Sequence, residues 1–380
     1  MCAKRAVMRG LQEERLGTVI DRFYEAAARP ELWRTVLHET STVLGAEGIG
    51  LFPGPKARFA PVSSEGIDEA VAVGVSEHWF DDNPRVARAI PALKRTPVVT
   101  ESMLFSPEEL ERLPFHAEYI NRYGLRSFAV LALTPVGPST IFFSIQRRQE
   151  QGNFSQREIE RIAAMAPHLW RAGQLASRLA EAHADGMLDA FAMIKCGAIL
   201  IDAMGRAIRL NEMAQHHIGR GLALVHGHLT AYHRDANAAL QRVIGSVLQP
   251  SPAHEAQARG AVAIPRPEGR PLIIHAAPVV GSARDAFQRA KAILMIVDPH
   301  EHREPAEPIL RQAFGLTPAE ARIAVGLARG QDLGEIAAMS GVSLGTARVH
   351  LKAIFAKTGI HRQPELVALL GRMSAAGPSG

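Results

Sequence analysis

Residues 316–373, LTPAEARIAVGLARGQDLGEIAAMSGVSLGTARVHLKAIFAKTGIHRQPELVALLGRM, hold the densest run of helix-boundary signals in the chain. Thr317 is a good N-cap, Pro318 suits the first helical position, Glu320 completes a capping box, and Gly330 supplies a left-handed stop. Asp332 with Glu335 opens a second short helix through Ile336 and Ala337, and Gly341 allows a tight turn after it. Ser343 caps a third helix in which Ala347, Leu351, Ile354 and Thr358 recur at i, i+4, i+7 and i+11 and should pack inward. The outward face then carries Thr346, Arg348, Val349 and Lys352 near the helix N-terminus. A helix entering a major groove presents side chains to base edges from that position. Segment 343–362 contains Arg348, Lys352, Lys357 and Arg362 and no acid, a local charge of +4 in a chain whose net charge is +5. Lys and Arg neutralise phosphates, Thr346 can donate to one, and Val349 can touch a thymine methyl.

On these residues the segment resembles the LuxR-type helix-turn-helix domain. The resemblance implies an all-α four-helix fold that binds double-stranded DNA through Ser343, Thr346, Arg348, Val349, His350, Lys352, Lys357 and Arg362. It also implies a scaffold role for Glu320, a packing role for Ile336 and Ala337, and dimerisation through the last helix, PELVALL. Gly334, Ser340 and Gln363 depart from the family pattern, which has a polar helix former, a leucine and an arginine there.

Outward from this segment, 380 residues exceed one ordinary core and predict two or three domains. At 47% hydrophobic and 21% charged, the chain has apolar mass for several cores, which excludes wholesale disorder. Cys2 and Cys196 are its only cysteines, so neither a disulfide framework nor a four-thiolate zinc site is expected. Charges interrupt the start MCAKRAVMRGLQEERLG, and no segment reaches about 18 uncharged apolar residues. A cytoplasmic protein without membrane contact is the expectation.

Apolar positions at helical spacing predict two helices over 11–45, divided at Pro30. The runs IGLF (49–52), FAVLAL (128–133) and TIFFSIQ (140–146) read as strands, and the TPVGPS connector pairs the last two antiparallel. Ser155 with Glu158 starts a long striped helix over 156–183, which Pro167 should kink or break into two segments. GAILID, the turn AMGR, AIRL and NEMAQHH then read as strand, turn, strand, helix. A helix from about Asp235 and the strands AVAIP, PLIIHAAPVV and KAILMIVD complete a second, five-stranded antiparallel sheet. PHEHREPAEP (299–308) reads as a linker. The expected domains are therefore 11–175, 187–300 and 308–373.

YINRYGLRSFAVLALTPVGPSTIFFSIQRRQEQGNFSQREIERIAAMAPHL resembles the C-terminal half of GAF-like sensor domains, including the autoinducer-binding domains of LuxR-type regulators. In those domains an aromatic cluster and an Asp-Pro pair hold the acyl-homoserine lactone. Here HWFDDNP offers Trp79, Phe80 and Asn83-Pro84, with Asn in place of Asp, which favours Trp79 and Phe80 as core aromatics over lactone ligands. GAILIDAMGRAIRLNEMA resembles the opening of a PAS domain, with Gly205 in the tight turn and Asn211 beginning the helix. The fold class expected is thus multidomain: α+β sensor domains, GAF-like then PAS-like antiparallel sheets, followed by the helix-turn-helix domain.

His216, His217, His226, His228 and His233 cluster, yet no carboxylate or thiolate stands at ligand spacing, so no metal or cofactor is expected. Cys196 reads as a buried small hydrophobe rather than a redox sensor, and Asp81-Asp82 follow a polar stretch rather than a strand end, unlike a receiver's acidic pair. G-x-x-x-x-G-K-[ST], H-E-x-x-H, G-x-S-x-G and a dinucleotide-binding glycine turn are all missing. No enzyme is expected. Two functions remain: a dimeric, effector-responsive DNA-binding transcriptional regulator, or a ligand-binding signalling protein whose C-terminal helices mediate protein interaction.

Overall fold

A computed structural model describes residues 2–57, 59–248, 260–267, 269–279, 286–299 and 307–376, without the side chains of 2–14 and 374–376. The chain forms two compact units. One comprises Met1–Asp185, Leu200–Ile208 and Pro278–Ile293, the other Gly186–Ile199, Arg209–Ala277 and Leu294–Gly380. The elements in chain order begin with α1 (Cys2–Ala28), α2 (Trp33–Leu44), β1 (Gly48–Pro53), β2 (Val62–Ser63), α3 (Asp68–Ser76) and α4 (Pro84–Leu93). They continue with β3 (Val99–Thr100), α5 (Glu101–Leu104), α6 (Pro107–Arg112), β4 (Leu125–Ala132), β5 (Ile141–Arg148) and α7 (Gln156–Met193). Next come β6 (Gly197–Ile201), β7 (Ala207–Leu210), α8 (Glu212–His217), β8 (Leu222–Val225), β9 (His228–Ala231), α9 (Arg234–Leu248), β10 (Ala261–Ile264), β11 (Leu272–Pro278) and β12 (Ala292–Val297). The last are α10 (Glu307–Phe314), α11 (Pro318–Ala328), α12 (Leu333–Met339), α13 (Leu344–Thr358) and α14 (Gln363–Ala376).

The first sheet runs β2-β1-β5-β4-β3, and its central strands are paired antiparallel, Val130 facing Ser144 and Leu131 facing Phe143. Because side chains alternate across a strand, one face presents Ile49, Leu51, Ala129, Leu131, Ile141, Phe143 and Ile145 to α1, α2 and α7. The other presents Phe128, Val130 and Phe142 to the α4 side. Burial on both faces explains why FAVLAL and TIFFSIQ read as nearly continuous apolar runs. Phe287, from the segment preceding β12, also enters this core, its ring centroid 5.5 Å from that of Trp33.

Pro167 does not divide α7, contrary to the expectation of two segments. An interior proline costs about 3 kcal/mol. The same helix buries Ile162, Met165, Leu169, Ala172 and Ala176 in the core, and Ile, Met and Leu contribute roughly 1.5–3 kcal/mol each when fully buried. Packing therefore outweighs the lost backbone bond. At Gly173 an added Cβ would lie 2.1 Å from the Leu133 carbonyl oxygen, so glycine is what lets helix and strand approach.

A second five-stranded sheet has the order β7-β6-β12-β11-β10. Numbered among its own five strands, which skip β8 and β9, it repeats the 2-1-5-4-3 order of the first sheet. β10 and β11 bury alternate residues, among them Val262, Ile264, Leu272 and Ile274, as one covered face requires. Asn211 caps α8 by accepting from Ala214 N–H (2.9 Å) and also accepts from Ala198 N–H (2.9 Å). The β8–β9 hairpin is not among the elements expected from the sequence. Its two-residue turn, His226-Gly227, has φ of 51° and 84°, the left-handed pair a tight hairpin turn demands.

The expected linker 299–308 falls mainly on 300–306, outside the described residues, and its last residues already belong to α10. The C-terminal helices thus number five among the described residues rather than four. Leu310 of α10 is fully buried with Ile323, Leu327, Ile336, Ala347, Ile354, Leu366 and Leu370.

Candidate nucleic-acid interface and ligand cavity

The C-terminal helices begin where the local signals put them. Thr317 and Glu320 form a reciprocal capping box, as do Asp332 and Glu335. Gly341, at φ 66°, turns α12 into α13, whose first turn is capped by Ser343 Oγ accepting from Thr346 N–H (3.1 Å). Ala347 and Ile354 are fully buried while Leu351 and Thr358 are half-buried, so the inward face follows the expected register.

The opposite face holds Thr346, Arg348, Val349 and Lys352 in solvent, with Val349 69% exposed. His350 is half-buried, and Arg362 is exposed just after the helix. Among the described residues, Arg348, Lys352 and Arg362 have no acidic partner.

Lys357 is placed differently from its expected neighbours. Its ammonium donates to Glu320 Oε2 (2.6 Å) and to the Gly315 carbonyl (3.1 Å). Glu320, 7% exposed at its side chain, also accepts from Thr317 N–H (2.7 Å). Burial pushes the Glu320 carboxyl up, but Lys357 and Thr317 overcome that and hold it below its ordinary value. Lys357 therefore ties α13 to the start of α11, and Glu320 is the scaffold residue the resemblance implied.

A second candidate lies in the first sheet's unit. Between the cavity-facing strand residues and the segments 67–89 and 115–120 is a cavity, part of it open to solvent. Phe52, Phe80, Phe115, Tyr119, Phe128 and Phe142 supply aromatic walls, and Arg85, Ser144 and Gln146 supply the polar one. Phe80 borders the cavity and also packs, as a core aromatic, on the cluster that includes Ile67, Val71, Phe115 and Tyr119. Trp79 stacks on Tyr119, centroids 5.5 Å apart and planes 9° apart, which is the packing role read for it. Asn83 also borders the cavity, and its Oδ1 accepts from Arg85 N–H (2.9 Å) as the N-cap of α4.

The polar wall is an ordered network. Arg85 donates through Nε (3.1 Å) and Nη2 (2.7 Å) to Glu101 Oε1 and through Nη1 to Gln146 Oε1 (3.2 Å), and its guanidinium lies 4.4 Å above the Phe128 ring. His116 Nε2 lies 2.8 Å from the same Glu101 oxygen. Gln146 Nε2 donates to Ser144 Oγ (2.7 Å). Burial raises the Glu101 carboxyl, and the Arg85 charge with the His116 and Arg85 hydrogen bonds brings it below its ordinary value, so the pair is ionised.

Arg85, Glu101, His116, Ser144 and Gln146 are not among the site residues expected from the sequence. A signal existed at two of them: in IFFSIQ the positions 142, 144 and 146 are Phe, Ser and Gln. Polar residues on one face of an otherwise apolar strand mark a face that meets something other than hydrocarbon.

The other sequence candidates are dispersed or inert. His217 is buried, His216 lies on the surface with Nε2 2.6 Å from Arg220, and His226 sits in the hairpin turn. Among the described residues no group of three or more His, Cys, Asp or Glu could hold a metal ion. Cys196 is buried, with Sγ 3.6 Å from the Ile296 carbonyl. Asp81 and Asp82 are exposed in the turn before α4. No helix among the described residues is long and apolar enough to cross a membrane.

No protein-family model matches the chain, and no curated protein matches it. Among solved structures, the VqsR LBD domain from Pseudomonas aeruginosa is similar at 16% identity over 44% of this chain and 96% of that one, TM-score 0.34. The phage VqmA-DPO complex is similar at 18% identity over 52% of this chain and 91% of that one, TM-score 0.21. The E. coli DhaR(N)-DhaL complex is similar at 12% identity over 77% of this chain and 90% of that one, TM-score 0.24. With every TM-score below 0.5, these likenesses establish neither the chain's fold nor its function.

Proposed function

We propose that the chain is a sequence-specific DNA-binding transcriptional regulator of the LuxR type, without catalytic activity, acting in the cytoplasm as a homodimer. α13 would enter the major groove of double-stranded DNA, with Ser343, Thr346, Arg348, Val349, His350 and Lys352 near base edges and phosphates and Arg362 toward the backbone, while Lys357, expected from the sequence to join them, stays on Glu320 and steadies the helix. The observation that carries this reading is the solvent-facing row of Arg348, Val349 and Lys352 on a helix set by the Gly341 turn. The domains would be a GAF-like sensor (11–175), a PAS-like sensor (187–300) and the helix-turn-helix domain (308–373). The shared 2-1-5-4-3 strand order supports two related sensor sheets. The cavity beside β5 would take a small-molecule effector that favours the dimer arrangement in which two recognition helices match a symmetric site.

Selection of duplex fragments by the purified full chain tests this, followed by a salt titration on the fragments recovered. Specific binding should weaken linearly in the logarithm of salt concentration. The other reading is a ligand-binding signalling protein whose C-terminal helices dock a protein. Met339 (72% exposed) and Leu344 (42%) favour it, being apolar and exposed on those helices. It predicts no duplex preference at any salt concentration.

A further inference from the structure

The polar wall of the first unit's cavity has a charge balance and a donor balance that together restrict what it can hold. Arg85 carries one positive charge and Glu101 one negative charge, both nearly inaccessible to solvent, so this ion pair is neutral before any ligand enters. A carboxylate beside it would leave one buried negative charge unmatched, and an ammonium would leave a positive one.

Hydrogen bonding is not balanced in the same way. Ser144 Oγ accepts from Gln146, which leaves its proton for another acceptor. Arg85 makes three donor contacts of the five its guanidinium can make. Asn83 Oδ1 is engaged by Arg85 N–H, which leaves its NH₂. Tyr119, by contrast, already donates to the Ala70 carbonyl (2.7 Å). The polar side chains bordering the cavity therefore offer donors to a ligand, while the remaining wall is mostly aromatic.

Resting on the effector-responsive reading above, we propose that this cavity binds an uncharged, compact ring compound bearing a carbonyl acceptor. The carbonyl would sit on Ser144 Oγ–H and Arg85, and the ring among Phe52, Phe80 and Phe142. Aromatic walls favour a flat ring through offset and edge contacts, and a site built to donate discriminates strongly against an analogue that lacks the acceptor.

Three probes of similar size separate the terms: acetophenone (ring with neutral carbonyl), benzoate (ring with anion) and ethylbenzene (ring without acceptor). Each is titrated into the purified full chain by saturation-transfer NMR. Acetophenone should bind at least tenfold more tightly than benzoate or ethylbenzene. Ser144→Ala should weaken acetophenone about tenfold and leave ethylbenzene unchanged. Glu101→Gln removes the matching charge and should strengthen benzoate at least tenfold. If Glu101→Gln does not fold, the wild-type ranking and Ser144→Ala decide.

Benzoate equal to or tighter than acetophenone in the wild type overturns the proposal, as does acetophenone binding indifferent to Ser144→Ala, or no saturable binding of acetophenone. A chain that selects DNA duplexes but fails these arms loses this inference and keeps the regulator reading. A chain that gives the expected ranking but selects no duplex does the reverse.

Discussion

Replacing Lys357 with Met tests whether this lysine holds the C-terminal helices together or binds phosphate. The substitution keeps the aliphatic stem and removes the ammonium that bridges Glu320 and the Gly315 carbonyl. Breaking a fully buried ion pair costs about 3–5 kcal/mol because the remaining charge is stranded. Here the Glu320 side chain is 7% exposed but that of Lys357 is 34% exposed, and Glu320 keeps its bond from Thr317 N–H. Water reaches one side of the pair, so the loss should be smaller, about 1–3 kcal/mol.

Urea unfolding, followed by a probe of the C-terminal helices, reads that loss as a lower midpoint at unchanged slope. Glu320→Gln in a double-mutant cycle should recover part of it, because the stranded charge is then absent. The sign with pH follows from the depressed Glu320 carboxyl. Its contribution is present above the ordinary carboxylate value and is lost as pH falls through the lower folded value. The gap between wild type and Lys357→Met should therefore narrow in acid. An unchanged midpoint, together with uniformly weaker binding to all duplexes and a salt slope reduced by about one, would refute the structural role and make Lys357 a phosphate ligand.

Arg348→Ala and Val349→Ala should each relax sequence preference by about 1–3 kcal/mol of discrimination at one position, read by selecting duplexes with each variant; unchanged preference in both means α13 docks otherwise. Phe287→Ala removes a ring that packs on Trp33 in the first core and should lower stability by about 3–5 kcal/mol, measured by urea unfolding. An effect below 1 kcal/mol would show that the segment before β12 is not held there. Arg147 and Ser155 hold the Glu158 carboxyl at about 2, against an ordinary 4.5. That stabilisation is present above 4.5 and is lost as pH falls toward 2, so Glu158→Gln should flatten this part of the stability profile. A variant whose acid limb matches wild type would deny the pair its role.

The elements legible in the sequence were those specified by local chemistry. Thr317-Pro318-Ala319-Glu320 and Asp332 with Glu335 start helices because a side-chain oxygen and a backbone N–H three residues on satisfy each other, and no distant residue is needed. Ala347, Leu351, Ile354 and Thr358 fixed which face of α13 turns inward, and with it the outward position of Arg348 and Val349. Ser106 with Glu109 carries the same local signal and begins α6 with a full capping box, an element not among those expected.

What only the tertiary structure decided were matters of long-range partnership. Pro167 looks like a break in isolation, and the burial of its neighbours against the sheet keeps α7 whole. Lys357 reads as one more cation in a basic run, and a carboxylate 37 residues away takes its ammonium. Arg85, Glu101, His116 and Gln146 span 61 residues of chain, and no local pattern brings them together. The reason is physical. Capping and helical periodicity act over three or four residues, whereas a buried ion pair and the cavity beside it exist only once strands and helices distant in sequence have packed.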